Sequence, residues 1–301
     1  MGALIYYISG FILALFTGFV FSTVGAAGGI LASFGFITVL DIHAANSVKV
    51  MSQILVIVSP LIAIPIYLRQ DRVKQIKSIL FYIGFIIAAG AILGALFGSW
   101  FSKSYLSELK SFKYLFGYLT FLVVSLMIYN ILKQRKKKPE QSKKEGGADA
   151  VPAGEDGKRG NPSIVKFSVK KIDFRCVDRD YSVPPVVLFI AGFLIAIISS
   201  IFGVGGGFLI VPFLTDVIGF PVFLAAGISI LVVLISSLTS VSNYIRMGVP
   251  VIVPILSATL AGVIAGSILG SKISRHLNEK MLKYILMVLL VFVGVFYVFK
   301  P

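Results

Sequence analysis

The sequence predicts an all-α polytopic membrane protein made of about ten helical segments. Of its 301 residues, 57% are apolar and only 14% are charged, whereas a soluble domain carries about 25% charged residues. The apolar residues fall in long blocks such as 79–100 and 184–202, and about 18 apolar residues are enough to span a bilayer. A third observation, an internal repeat, divides these segments into two groups of five.

The apolar segments are of two lengths. Two of them, 28–40 and 206–218, have 13 residues each, and a helix of that length reaches about 20 Å across a hydrocarbon core of about 30 Å. Each follows a full span after a glycine-rich break, GAAGG at 25–29 and GVGGG at 203–207. We therefore expect two helical hairpins whose tips end inside the membrane. The full spans are 3–23, 46–68, 79–100, 112–132, 184–202, 223–245, 250–271 and 281–299.

Residues 133–183 differ in composition from the rest of the chain. They contain 14 basic and 8 acidic residues, which cannot bury apolar area, so we expect a mobile, charged linker. Alternating apolar residues at 164–176 leave a short strand as an alternative. The linker separates a first transmembrane repeat, 1–132, from a second, 184–301.

The two halves carry the same landmarks in the same order. Each half contains an odd number of membrane crossings, so the second starts on the opposite face and the repeats have inverted topology. Inverted repeats with broken helices occur in secondary transporters, which bind substrate near the midplane. The landmark pairs are GAAGGIL (25–31) with GVGGGFL (203–209), YLR (67–69) with YIR (244–246), the ladder Gly90/Gly94/Gly98 with Gly262/Gly266/Gly270, and KY (113–114) with KY (283–284). The ladders have the small-xxx-small spacing of helix packing.

Charge and residue inventory restrict location and function. Basic residues cluster in the linker and in loops 69–78 and 271–280, so the positive-inside rule places the linker in the cytoplasm and both termini outside the plasma membrane. The net charge of +15 follows this pattern, which makes the lipid bilayer the partner and excludes nucleic acid. One cysteine, two distant histidines and no carboxylate inside a span predict no metal, no cofactor and no enzyme.

The glycine-rich breaks are the candidate substrate site. The first backbone N–H groups of each short helix lack intrahelical partners, and the helix dipole adds positive charge there. A small oxyanion is therefore expected to bind between two such tips arriving from opposite faces, with space for it between them. The alternative is that the glycines serve helix packing only. The candidate residues are Ser22, Thr23, Gly25, Gly28 and Gly29 at the first tip, and Ser199, Ser200, Gly203, Gly205, Gly206 and Gly207 at the second.

Lys49 is a second candidate feature, since it lies one turn inside an apolar segment. Ionisable residues there are costly and mark functional sites by default. Asn46, Lys49 and Gln53 share one helix face, and Ser229 is close to the repeat counterpart of Lys49. The alternative is that Lys49 extends its ammonium to the membrane interface.

At these residues the chain resembles the TauE/SafE family of sulfite exporters and anion permeases. The resemblance implies membrane transport of sulfur-containing anions such as sulfite or organosulfonates. It is carried by SSIFGVGGGFLIVPFL (199–214), AAGIS (225–229), Tyr244-x3-Gly248 and the ladder from Gly262 to Gly270, with a weaker first copy in GAAGGIL (25–31) and HAANSVK (43–49).

The sequence thus favours a secondary transporter that holds the anion between the two tips and alternates access. An anion channel on the same scaffold is the alternative. The glycine ladders also permit a homodimer, although they can equally serve packing within one chain.

Overall fold

Ten α-helices and three short β-strands form the part of the chain that the computed structural model describes, which is residues 2–24, 28–69, 71–141, 164–167, 171–176, 179–273 and 279–299. A π-helical segment, Phe213–Val217, continues α7. The helices are α1 (Gly2–Val24), α2 (Gly28–Thr38), α3 (Ala45–Leu68), α4 (Asp71–Tyr105), α5 (Leu109–Gln141), α6 (Pro185–Phe202), α7 (Gly207–Pro212), α8 (Val222–Arg246), α9 (Val253–Ile273) and α10 (Glu279–Phe299). The strands are β1 (Ile164–Phe167), β2 (Ile172–Cys176) and β3 (Arg179–Val183).

The helices confirm the prediction of a multi-pass membrane protein. Within the described residues, six helices are long and apolar enough to cross a bilayer. Helices α4 and α5 have 35 and 33 residues, so both extend beyond the predicted spans. Their polar ends are rich in Lys, Gln and Arg, which are good helix formers, so the helices continue beyond their apolar parts.

The prediction of a mobile linker is wrong for 164–167, 172–176 and 179–183, which form strands, and the strand alternative for 164–176 is confirmed by the first two of them. The strands form an antiparallel sheet in the order β1-β2-β3. One face of this sheet is apolar: Phe174 stacks on Tyr181 at a centroid distance of 5.2 Å, and both rings contact Phe220 edge-on. The side chains of Ile172, Phe174 and Val183 are buried. Residues 142–163, the middle of the predicted linker, lie outside the described part.

Both hairpins return to the end of the molecule from which they start. In the first, the hydroxyl of Tyr6 near the start of α1 donates to the carbonyl of Leu40 after α2, at 2.6 Å. In the second, Phe220 follows the π-helical segment and contacts Tyr181, just before α6. We call the end that carries the strands the sheet end and the other the far end.

Helix α3 connects the two ends, so the hairpins open on opposite sides. It begins a few residues after Leu40, and its 24 residues rise about 36 Å. Its last residue, Leu68, lines one cavity together with Gly227 of the first turns of α8, a few residues after Phe220 in the chain. The first hairpin therefore opens at the far end and the second at the sheet end.

The glycine ladders pack helices of one half against helices of the other. A Cβ atom on Gly262, Gly266 or Gly270 of α9 would overlap the backbone of α1, and a Cβ on Gly90, Gly94 or Gly98 of α4 would overlap the backbone of α6. The predicted packing role of the ladders is thus confirmed. The pairs α1·α9 and α4·α6 have equivalent positions in the two halves, as an inverted repeat would produce, and the inverted repeat itself stays a prediction.

Replacing Gly94 by leucine should destabilise the fold, because α4 and α6 would have to separate. A Cβ there would lie 3.0 Å from the Cα of Phe193 before the rest of the side chain is added, and overpacking of this kind costs about 3 kcal/mol. The measurement is the melting temperature of the purified protein in detergent. Ala89→Leu adds bulk at an exposed position of the same helix and should melt like the wild type. Equal melting of all three proteins would show that this contact does not hold the helices together.

Candidate functional site

The two hairpin tips meet, as the sequence predicts. A Cβ atom on Gly29, in the first turn of α2, would lie 2.5 Å from the Cα of Val204 in the second tip. Gly28 and Gly29 are buried, as are residues 203–207. Gly25 lies outside the described residues, as does the side chain of Thr23. The contact between the tips is made by backbone atoms, which only a residue without a side chain allows at Gly29.

The backbone of the second tip carries a row of N–H groups that lack backbone hydrogen-bond partners in the described part of the chain. Gly203 and Gly205 have φ angles of +71° and +72°, which glycine adopts without strain. The N–H groups of Gly203 and Val204 donate to the carbonyl of Ser199, at 2.9 and 3.2 Å. The next four N–H groups, at 205–208, have no backbone acceptor within the described residues. The second tip therefore offers buried donors to a ligand.

One face of α3 packs along the second tip. A Cβ on Gly203 would lie 2.7 Å from the Cα of Lys49, and one on Gly205 would lie 2.6 Å from Cγ1 of Val56. Between these two contacts, the Nε2 of Gln53 donates to the carbonyls of Ser199 and Ser200, at 3.4 Å each. The spacing 49, 53, 56 places all three residues on one face of the helix.

Side chains from other helices satisfy the carbonyls at the end of α6. A helix end inside a membrane leaves its last carbonyls without intrahelical partners. The hydroxyl of Tyr244 donates to Ser200 O at 2.9 Å, and Ser102 Oγ donates to Ile201 O at 3.0 Å. Neither Tyr244 nor Ser102 was predicted as a site residue. The signals for them in the sequence were positional: Tyr244 belongs to YIR (244–246) and to Tyr244-x3-Gly248, and Ser102 lies one turn after the ladder residue Gly98.

Lys49 is buried, so the alternative that it extends to the membrane interface is wrong. Its side chain is 0% exposed. The ammonium donates to Asn46 Oδ1 at 3.1 Å, Ser102 Oγ at 2.8 Å and Leu106 O at 2.6 Å, and it lies 4.7 Å from the ring centroid of Phe112. These three acceptors use all its N–H bonds. The structure shows no carboxylate paired with it in the described part of the chain.

As far as the structure describes them, the remaining predicted residues do not direct their side chains into hydrogen bonds at the second tip. Ser22 Oγ donates to Phe19 O in its own helix at 3.1 Å and lies against Gly270, so its hydroxyl serves the α1·α9 contact. Ser229 is 5% exposed on α8. Ser199 and Ser200 contribute through their carbonyls. The structure thus unites Gly29, Asn46, Lys49, Gln53, Ser199, Ser200, Gly203, Gly205, Gly206 and Gly207 around the second tip.

Among the described residues, the cavity beside the first tip is too small for the expected anion. The cavity beside them has a volume of about 10 Å³ and is lined by Thr17, Gly18, Phe21, Gly28, Leu55, Val56 and Val263. A single water needs about 10–15 Å³, so an oxyanion does not fit. Together with the contact between Gly29 and Val204, this small cavity shows that the described parts of the two tips are closely packed.

Comparison with known proteins agrees with this architecture. A family profile described as "Sulfite exporter TauE/SafE" matches residues 10–297. A stretch of 66 residues, 20% of this chain, is 42% identical to a probable membrane transporter protein of Methanocaldococcus jannaschii, and the match spans a quarter (25%) of that protein. No solved structure matches the chain.

The family profile decides between the broad classes of function. It covers almost the whole chain, so the prediction of a family of transporters rather than of enzymes is confirmed. The resemblance noted in the glycine motifs is confirmed with it. The protein is a multi-pass membrane protein and belongs to the TauE/SafE sulfite exporter family.

Proposed function

We propose that the protein is a secondary transporter of small sulfur-containing oxyanions, such as sulfite or organosulfonates, and that it binds the anion between the two hairpin tips. The observation that carries the proposal is the row of buried N–H groups at 205–208, which have no backbone acceptor among the described residues and lie at the tip that touches Gly29. Buried donors require a partner, and an oxyanion offers several acceptor oxygens at once.

Lys49 supplies positive charge to this site without touching the anion. Its three N–H bonds are used by Asn46, Ser102 and Leu106, while its backbone lies against Gly203. A buried charge acts over several ångströms because little water screens it. The ammonium therefore lowers the cost of bringing an anion to the tip.

The closed tips support alternating access. The first hairpin reaches the contact from the far end and the second reaches it from the sheet end, so withdrawal of either would open the site to one side only. The π-helical segment Phe213–Val217 and the prolines Pro60 and Pro65 inside α3 are positions where a helix bends. A channel would need both sides open together, which the contact between Gly29 and Val204 prevents in this conformation.

The sheet end faces the cytoplasm in this proposal. Loop 69–78 and residues 133–183 carry many of the basic residues, and the positive-inside rule assigns that end to the cytoplasm. Both chain ends are then extracytoplasmic. A protease site inserted into 142–163 should be cut only in inside-out vesicles. Cutting in intact cells would show that the protein has the opposite orientation.

Transport by purified protein in liposomes tests the proposal. We expect saturable uptake of ³⁵S-labelled sulfite, thiosulfate or sulfate, or of labelled sulfoacetate or taurine, and acceleration when unlabelled substrate is present on the other side. This acceleration distinguishes a transporter from a channel, which instead passes ionic current without it. A bound anion at a hundred times its Kd should also stabilise the protein by about 2.7 kcal/mol. Absence of saturable transport for every anion would refute the proposal.

A further inference from the structure

We infer that the transported anion also carries a hydrogen-bond donor, and that the carboxamide oxygen of Gln53 accepts from it. This rests on the proposed function and narrows its substrate class. The class would contain protonated oxyanions such as hydrogensulfite, and sulfonates with a hydroxyl or amino group. Fully ionised oxyanions without a donor would be poor substrates.

The side chain of Gln53 is fixed so that its oxygen is the free atom. It is 1% exposed, and its Nε2 lies 3.4 Å from both Ser199 O and Ser200 O. The flipped amide would place Oε1 against these two carbonyl oxygens, which repel it, so the hydrogen-bond network determines the orientation. Oε1 is buried and has no partner within the described residues. A buried acceptor in this state needs a donor that the described residues do not supply.

Gln53 is positioned at the substrate site. Its neighbours on the same face of α3, Lys49 and Val56, lie against Gly203 and Gly205 of the second tip. The unpaired oxygen is therefore on the helix face that meets the row of N–H donors at 205–208. The N–H groups at 205–208 can donate to the anionic oxygens of a ligand bound there. Gln53 Oε1 is an acceptor, so it needs a donor group on the same ligand.

Two hydroxyls of α8 lie on the helix face that carries Tyr244. Ser237 Oγ and Ser240 Oγ are the other buried side-chain atoms of the described chain that lack a partner. Ser240 lies one turn before Tyr244, whose hydroxyl shares the carbonyl of Ser200 with Gln53. Hydroxyls donate to anionic oxygens, so these serines can bind a sulfonate group while Gln53 Oε1 binds the donor.

The test is a matched pair of sulfonates that differ by one hydroxyl, 2-hydroxyethanesulfonate and ethanesulfonate. Their affinities for the purified full-length protein are measured by calorimetry. A site built to bind a hydroxyl discriminates strongly against an analogue without it, so we expect the wild type to bind the hydroxylated sulfonate at least about tenfold more tightly. Gln53→Met keeps the side-chain volume but removes the acceptor, and it should weaken binding of 2-hydroxyethanesulfonate only, bringing the ratio near one.

A control variant and the melting temperature separate this role from a structural one. Thr239→Val removes a hydroxyl of α8 that bonds the carbonyl of Ile235 in its own helix, and it should keep the wild-type ratio. A loss of stability in Gln53→Met with an unchanged ratio would show that Gln53 only caps α6 and would overturn the inference. A wild type that binds the two sulfonates equally would overturn it as well.

If neither sulfonate binds, the affinity for sulfite is measured as a function of pH instead. Its protonated fraction changes with pH, so apparent affinity in the wild type should follow the concentration of hydrogensulfite, and Gln53→Met should lose this dependence. Affinity that follows total sulfite would overturn the inference while leaving the proposed function intact. Absence of transport of every anion would instead refute the proposed function, and this inference with it.

Discussion

Replacement of Gly29 by alanine should abolish transport, because the added methyl group would lie 2.5 Å from the Cα of Val204 and nearer still to its carbonyl. The atoms in the way are backbone atoms of Val204, so no rotation of a side chain can make room for the methyl group. The two tips would therefore be pushed apart. We expect a fall of more than a hundredfold in the rate of anion uptake into liposomes. Gly203→Ala should have a similar effect, since its φ of +71° adds backbone strain.

The control for this experiment is Gly10→Ala in the same hairpin. There the nearest atoms to the new Cβ would be 3.5 Å away, on the side chains of Leu40 and Thr259, which is an ordinary contact. Gly10→Ala should fold and transport like the wild type. Gly29→Ala with wild-type transport would mean that the contact between the tips plays no part in the cycle, and the proposed site would have to be abandoned.

The parts of the fold set by local chemistry could be read from the sequence. Block length and hydropathy indicate which segments span a bilayer, and the glycine-rich break at 203–207 marks where α6 ends because Gly203 adopts a left-handed backbone there. The ladders report close backbone approach, which the contacts of Gly94 and Gly266 confirm. Even the meeting of the two tips follows from hairpins that open at opposite ends.

The partners of the site depend on contacts between distant segments, and no local pattern encodes them. Two side chains cap α6 from other helices: Ser102 is 99 residues away in sequence from Ile201, whose carbonyl it binds, and Tyr244 is 44 residues away from Ser200. Lys49 looked able to donate to an anion, but Ser102 and Leu106 use its N–H bonds. The small volume of the cavity beside the first tip could not be predicted either, because it depends on how helices from different parts of the chain pack against each other.

Lys49→Met should weaken anion binding about thirtyfold while leaving the protein folded. Coulomb's law gives about 2 kcal/mol for unit charges about 8 Å apart at an effective dielectric constant near 20, which corresponds to a loss of about thirtyfold in affinity. The folded state should survive for a separate reason. Methionine fills nearly the same volume and removes the cost of burying an ammonium without a carboxylate, which offsets the donors lost by Asn46 Oδ1 and Leu106 O.

Calorimetric affinity and melting temperature together decide whether the charge of Lys49 acts on the anion. Lys49→Arg keeps the charge and should bind the anion more tightly than Lys49→Met, although a planar guanidinium cannot reproduce the same three hydrogen bonds. A melting temperature that falls equally in both variants, with equal loss of binding, would make Lys49 a structural link between α3 and α4. Wild-type affinity in a folded Lys49→Met would show that the backbone donors at 205–208 bind the anion without help from a buried cation, and the electrostatic part of the proposal would be wrong.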